Sequence, residues 1–335
     1  MKSRKYAALA WFFVAYLVGV ILFGAWVRIT GSGNGCGSHW PACNGEILPQ
    51  APATQTIIEY THRLTSGLCG IIALVLVVWG RRVSRPVFRA ALVVLFFLVI
   101  ESLLGALLVK RHLVVDDVSV ARAYTVALHL ANTLLLTASA ALLAWRASLT
   151  RAQGQPTLSP SGRSGLPPSS CERNGLVPAP ASSHLLLGVA LIALLLTSMS
   201  GAVTALGDTV FPTQPALDGT LFAKLRADAS PSQHFLVRLR VIHPGVAILA
   251  ALLVAGVLIR NLTRSGGAAT VHGRLAALAL AAVVCQMGLG FFNVLFAAPG
   301  WMQMIHLLAA QVVWILTWLV YVSGRRTLGE TASLG

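Results

Sequence analysis

The sequence predicts an all-α integral membrane protein: eight transmembrane helices arranged as two parallel-repeat four-helix bundles, with both termini cytoplasmic. Three observations lead there. The 335-residue chain is 56% hydrophobic and only 10% charged, with a mean hydropathy of +0.77, which water-soluble domains do not carry. Eight apolar runs approach the roughly 20 residues a helix needs to cross the hydrocarbon; they lie near 8–27, 60–80, 88–109, 121–145, 185–206, 236–260, 274–297 and 301–322. Landmarks of the first half also recur in the second at almost one spacing. His62 matches His243 at an offset of 181, while His129 matches His306, and Gly24-Ala25 matches Gly201-Ala202, at 177. Val99-Ile100-Glu101 through Gly105 matches Val284-Cys285-Gln286 through Gly290 at 185. A duplicated unit with an even number of spans keeps its orientation, so the copies are related by an axis along the membrane normal.

Charge placement orients the chain. Of the 25 Lys and Arg residues, 16 fall on the side assigned to the cytoplasm: Lys2, Arg4, Lys5, Arg81, Arg82, Arg85, Arg89, Arg146, Arg151, Arg163, Arg173, Arg260, Arg264, Arg274, Arg325 and Arg326. That is the positive-inside pattern. The net charge of +15 is spread over short loops rather than along one stripe, which argues against nucleic-acid binding. The basic start before the first apolar run resembles a signal peptide. No small-residue cleavage site follows it, however, and Arg28-Ile29-Thr30-Gly31 continues directly, so it reads as a membrane helix. The domain reading is 1–146 for the N-terminal bundle, 147–183 for a Pro/Ser/Gly-rich disordered cytoplasmic linker, 184–325 for the C-terminal bundle and 326–335 for a tail.

Taken in order, helix one leads into a glycine-rich external loop containing Cys36 and Cys43 with six residues between them. An oxidising compartment permits a disulfide there, serving as a structural clip or in a redox or gating role. A metal site is the weaker alternative, since His39 supplies only one further ligand. Helix two opens on Glu59-Tyr60-Thr61-His62-Arg63, where Glu59 and His62 share a face with Ser66 and Cys69. Glu59 reads as a group close to the imidazole and paired with Arg63. Its plainer role is a salt bridge at the helix mouth. Helix three carries Glu101, deep enough that it must face the interior and be protonated or hydrogen-bonded. Helix four carries His129 on a face with Thr125, Asn132 and Thr133. The last two spans are joined only by Ala297-Ala298-Pro299-Gly300, a tight hairpin. Cys69 and Cys285 read as inert core residues, and Cys171 as a reduced linker thiol.

Four of the nine histidines, His62, His129, His243 and His306, sit at matched positions in the external half of the membrane. A lone intramembrane histidine is commonly structural, but two repeat-related pairs suit haem iron, held between helices of a four-helix bundle. Alanines one turn from His243 and His306 leave room for a flat macrocycle, Pro244 removes a backbone donor, and Arg240 could meet haem propionates. His39, His112, His184, His234 and His272 read as solvated. The halves are unlike, because Glu59 is matched by Arg240 and the cysteine loop has no counterpart in 207–235.

Thr30-Gly31-Ser32-Gly33, Cys36-Gly37-Ser38-His39-Trp40-Pro41-Ala42-Cys43-Asn44-Gly45, Glu59-Tyr60-Thr61-His62-Arg63 and the three further helix histidines resemble the haem A synthase family. The resemblance implies oxidation of a methyl group of haem O, through an alcohol, to the formyl group of haem A. It implies haem b (iron) on His243 and His306, haem O received near His62 and His129, a requirement for Glu59, and a Cys36–Cys43 disulfide. It also implies a multi-pass protein of the inner (plasma) membrane with its haem sites toward the periplasmic side. Candidate partners are haem O, membrane lipid, an electron donor, haem O synthase, oxidase assembly factors and a second copy of the chain. The long linker and the lack of a cysteine pair in the second external loop depart from the family pattern. Two rival readings remain: a bis-His b-type cytochrome passing electrons from quinol to a partner, and a transporter using Glu101 and Gln286 at the midplane.

Overall fold

In the computed structural model, residues 2–50, 53–153, 181–213, 215 and 221–331 are described. Among them the chain forms nine α-helices and no strand: α1 (Lys2–Ile29), α2 (Thr54–Gly80), α3 (Arg85–Lys110), α4 (Val120–Gln153), α5 (Ala181–Val210), α6 (Leu221–Asp228), α7 (Phe235–Arg264), α8 (Val271–Leu295) and α9 (Gly300–Thr331). Eight are long and apolar enough to span a membrane, and each coincides with one of the eight expected runs. The short α6, between α5 and α7, was not legible as a separate element.

Helix ends follow local chemistry. Ser84 caps α3 by accepting from Val87 N, with Pro86 in the first turn, where its missing N–H costs nothing. Thr270 caps α8 through Gly273 N at 3.0 Å. The hairpin into α9 turns on Ala297 and Ala298, both in the left-handed region with φ of 59° and 48°. α4 continues past the expected boundary at 146, because Ala147 to Gln153 contains neither Gly nor Pro and Gly154 is the first breaker. The expected linker is therefore helical at 147–153 and 181–183; its middle, 154–180 with Cys171, lies outside the described residues. α9 likewise runs through part of the expected tail, to Thr331, and 332–335 lie outside the described residues.

Each set of four spans closes a ring. α1 packs on α2 and α4, and α3 bridges α2 and α4; α5, α7, α8 and α9 repeat this order. The rings meet through α1 and α4 on one side and α5 and α9 on the other, an arrangement that supports the expected duplication. α4 is the shared wall, with 61% of its span buried against 17% for α3. It buries small residues on two sides, Ala140, Ala144 and Ala147 within its own ring and Ala138 against α5 and α9, which lets helix backbones approach closely in the absence of a hydrophobic driving force. Trp314 on α9 donates Nε1–H to Leu134 O on α4 at 2.7 Å in a fully buried setting. Arg28 on α1 crosses to Ala205 O (2.6 Å) and Thr209 of α5 and to Gln303 Oε1 of α9 (2.8 Å).

Two sequence expectations fail here. Cys285 is exposed on the outer face of α8 rather than in the core, whereas Cys69 is buried as expected. His272 is buried, not solvated, because it falls in the first turn of α8 and points inward to Ser323 Oγ (2.8 Å) and Asn261 Oδ1 (3.3 Å). Of the other histidines read as solvated, His39 and His112 are exposed. His234 is half-buried and caps α7, and His184 is half-buried against Tyr321.

The Trp314 contact gives a direct test of how the rings are joined. Trp314→Phe should cost about 1 kcal/mol from the lost hydrogen bond, and Trp314→Ala about 3–5 kcal/mol from the cavity. Both should lower the thermal midpoint of the detergent-solubilised chain in that order.

Candidate functional site

His62, His129, His243 and His306 all line one cavity of about 1740 Å³ that runs through both rings. Ordinary ligand pockets hold roughly 300–1,000 Å³, so this one has room for more than one small molecule. Leu68 and Ile71 of α2 and Phe291 of α8 line it and are exposed.

Each second-helix histidine lies flat against a glycine of the preceding span. A Cβ on Gly24 would come within 3.1 Å of His62 Cε1, and one on Gly201 within 2.9 Å of His243 Cε1. A side chain at either position would push the imidazole aside. The residue before each glycine also reaches the ring. Phe23 meets His62 edge-on at 5.6 Å, whereas Ser200 places Oγ 2.9 Å from His243 Nδ1. Ser200 was missed by sequence reasoning, although its place beside the matched Gly201 was a usable signal.

The fourth-helix histidines are met from the third helix. Glu101 Oε1 lies 3.3 Å from His129 Nδ1, at ion-pair distance but off the hydrogen-bond line. Asn132 Nδ2 (2.6 Å) and Thr133 Oγ1 both donate to this carboxylate, so the expected inward-facing, hydrogen-bonded acid is present. In the second ring Gln286 Nε2 lies 3.1 Å from His306 Nε2, and Gly290 gives His306 the room that a side chain would take. His62 Nδ1 and His306 Nδ1 are buried without a hydrogen-bond partner.

At the outer rim, Glu59 is 3% exposed and both its oxygens are engaged. Oε2 accepts from Cys36 N at 2.8 Å, and Oε1 pairs with Arg63, whose Nε is 3.1 Å away. Arg63 Nη1 donates in turn to His39 O and Ala42 O, each at 2.6 Å. Cys36 and Cys43 are joined as a disulfide, and Thr56 and Tyr60 hold Gly35 O and Ile47 O. The cysteine loop is thereby strapped to the first turns of α2, and its Trp40, Pro41 and Ala42 roof the cavity.

The second ring uses a different clamp. Arg240 Nε lies 2.7 Å from Asp208 Oδ1, with Asp228 at 3.8 Å and the carbonyls of Gly207 and Phe211 as acceptors. Arg240, expected to be available to propionates, is instead committed to holding α5, α6 and α7 together. Asp208 and Arg28, which also line the cavity, were not singled out from sequence.

Among the described residues no group of three or more His, Cys, Asp or Glu forms a site for a bare metal ion. Paired imidazoles are the ligand set of a macrocycle that brings its own equatorial donors.

Comparisons with known proteins bear on what this site is. A family model described as cytochrome oxidase assembly protein, COX15-CtaA, matches residues 7–318. The chain is 42% identical over 336 residues to a protein named protoheme IX farnesyltransferase from Thermus thermophilus, covering 99% of this chain and 50% of that protein. It is 44% identical over 93 residues to the heme A synthase of Halalkalibacterium halodurans, covering 27% of this chain and 31% of that one. It is 41% identical over 112 residues to the heme A synthase of Lysinibacillus sphaericus, with 32% and 36% covered. The chain therefore spans about half the length of the Thermus relative it matches throughout.

The Glu59 clamp predicts how the roof loosens. Glu59→Ala strands the Cys36 amide and Arg63, a loss of about 1–3 kcal/mol, so amide exchange across residues 31–47 should quicken roughly tenfold to a hundredfold. Glu59→Gln, which keeps an acceptor for Cys36 N, should do so less, as read by hydrogen–deuterium exchange.

Proposed function

The chain belongs to the COX15-CtaA family of cytochrome oxidase assembly proteins, and on that premise we propose that it is a haem A synthase, oxidising a methyl group of haem O to the formyl group of haem A. The observation that carries this reading is the one cavity lined by both histidine pairs, with an acid three residues before the second-helix histidine in the first ring only. Partial matches to proteins named heme A synthase support the reaction. A relative named for farnesylating protoheme supports a prenylated haem as the substrate consumed.

The residues present fit haem at both pairs. We assign haem b to His243 and His306, and haem O to the neighbourhood of His62 and His129. When bound, haem iron supplies the one-electron chemistry that oxidation of a methyl group requires. The chain's own residues position and gate. Ser200 fixes the His243 ring through Nδ1, leaving Nε2 for ligation. Gly24 and Gly201 set ring placement. Glu59, pinned at the rim by Cys36 N and Arg63, is assigned the proton-handling or water-orienting role. We further propose that the site faces the periplasmic side of the inner membrane, as the basic-loop asymmetry indicates.

Commitment of both Glu59 oxygens, one to Cys36 N of the loop and one to Arg63, favours a second reading, a two-haem electron carrier in which Glu59 is purely structural. One experiment separates them: expression in cells that make haem O, followed by chromatography of extracted haems. Haem A should accumulate with the wild-type chain and fall roughly a hundredfold or more in Glu59→Ala and His62→Ala. Unchanged haem O alongside bound haem b would establish the carrier instead. Gly201→Val, which drives a side chain into His243, should lower haem retention at least roughly tenfold, measured by Soret absorbance per protein.

A further inference from the structure

Four arginines line the cavity. Arg63 is paired with Glu59 and Arg240 with Asp208. Among the described residues, neither Arg28 nor Arg122 has a carboxylate at ion-pair distance. Asp117 turns its carboxylate to Ser119 N and Oγ and offers Arg122 only its carbonyl. Arg122 is 4% exposed. Its Nη1 donates to Val115 O (2.8 Å) and Asp117 O (2.6 Å), while its Nε is buried without a partner. Arg28 commits Nη1 to Ala205 O and Thr209 Oγ1 and Nη2 to Gln303 Oε1. A guanidinium has five N–H donors and keeps its charge throughout, so N–H groups of both arginines remain uncommitted. The two side chains are close enough for their charges to interact. Like charges sharing a low-dielectric wall are costly until an anion joins them.

Their place in the fold says which chamber they serve. Arg28 lies one turn from Gly24, the residue against which His62 packs, and Arg122 two turns from His129, both toward the rim under the cysteine loop. At the offset of 177 that matches Gly24 with Gly201 and His129 with His306, the second ring has Ala205 and Pro299 in their places. We infer that Arg28 and Arg122 together bind the paired carboxylates of a macrocycle in the first chamber and so fix which of its edges faces the rim. This rests on the haem-binding reading above, since haem O carries two carboxylates on one edge. The helix rises about 10 Å over the seven residues from His129 to Arg122, so the donors stand beyond the imidazole, at the edge of the macrocycle rather than at its iron. Guanidinium–carboxylate pairs supply orientation as well as affinity, because the planar donor fork matches the two oxygens.

The test titrates the full-length chain in detergent, already carrying haem b, with haem O and with haem O dimethyl ester, and reads affinity from the Soret band. The wild-type chain should bind the free acid roughly tenfold to a hundredfold more tightly than the ester, the worth of hydrogen bonds between charged groups. Arg122→Gln should remove most of that difference by weakening the acid and leaving the ester where it was, and Arg28→Gln should do the same. Arg28 also ties α1 to α5 and α9, so the Arg122 variant keeps the inference testable should Arg28→Gln fold poorly. An arginine that only braces helices would shift acid and ester alike. That outcome in Arg122→Gln, or a wild-type chain indifferent to esterification, would overturn the inference while leaving the haem-binding reading intact. A wild-type chain that binds no haem would overturn both.

Discussion

Two imidazoles pressed against two glycines fix how this molecule is built. His62 and His243 occupy space that any side chain at Gly24 or Gly201 would fill. The first two spans of each ring pack closely at those levels, with a polar ring between them. Burying such a ring in an apolar bundle is costly unless its nitrogens are used. Everything around them follows: Ser200 or Phe23 on one side, an open apolar cavity on the other, and a third-helix polar group reaching across to the fourth-helix histidine.

The rings share an outline and differ in charge. The rim of the first is an acid on α2 whose arginine partner lies one turn deeper and gathers loop carbonyls. The rim of the second is an arginine on α7 whose acid comes from α5. One clamp ties down a disulfide loop that roofs the cavity, and the other ties helices to each other. Two similarly connected rings thus present one covered rim with a carboxylate at its edge and one rim whose charges are paired among themselves.

All eight spans were legible in the sequence because each is a long apolar run, and the four histidines because charge-capable residues stand out within such runs. The inward direction of Glu101 followed from its depth within an apolar run, and the Glu59–Arg63 pair from its place at the helix mouth. Contacts between distant helices were not legible. Nothing in the sequence marks Arg28 as a bridge to α5 and α9, or shows that Arg240 is consumed by Asp208, since both depend on which spans become neighbours. His272 was misjudged because a helix-end histidine reads as solvated until the neighbouring α7 and α9 are known to offer Asn261 and Ser323. α6 escaped notice because eight residues of mixed polarity carry no periodic signal.

The joint between the rings is built from equivalent faces, α1 and α4 against α5 and α9, with α4 nearly engulfed. A half-length ancestor with one ring would have left its α4 equivalent open along one side, and a second copy turned about the membrane normal is the shape that covers it. Such a homodimer must put the same residues in both chambers. Two rings in one polypeptide are under no such obligation, so a single molecule can hold glutamate in one chamber and glutamine in the other.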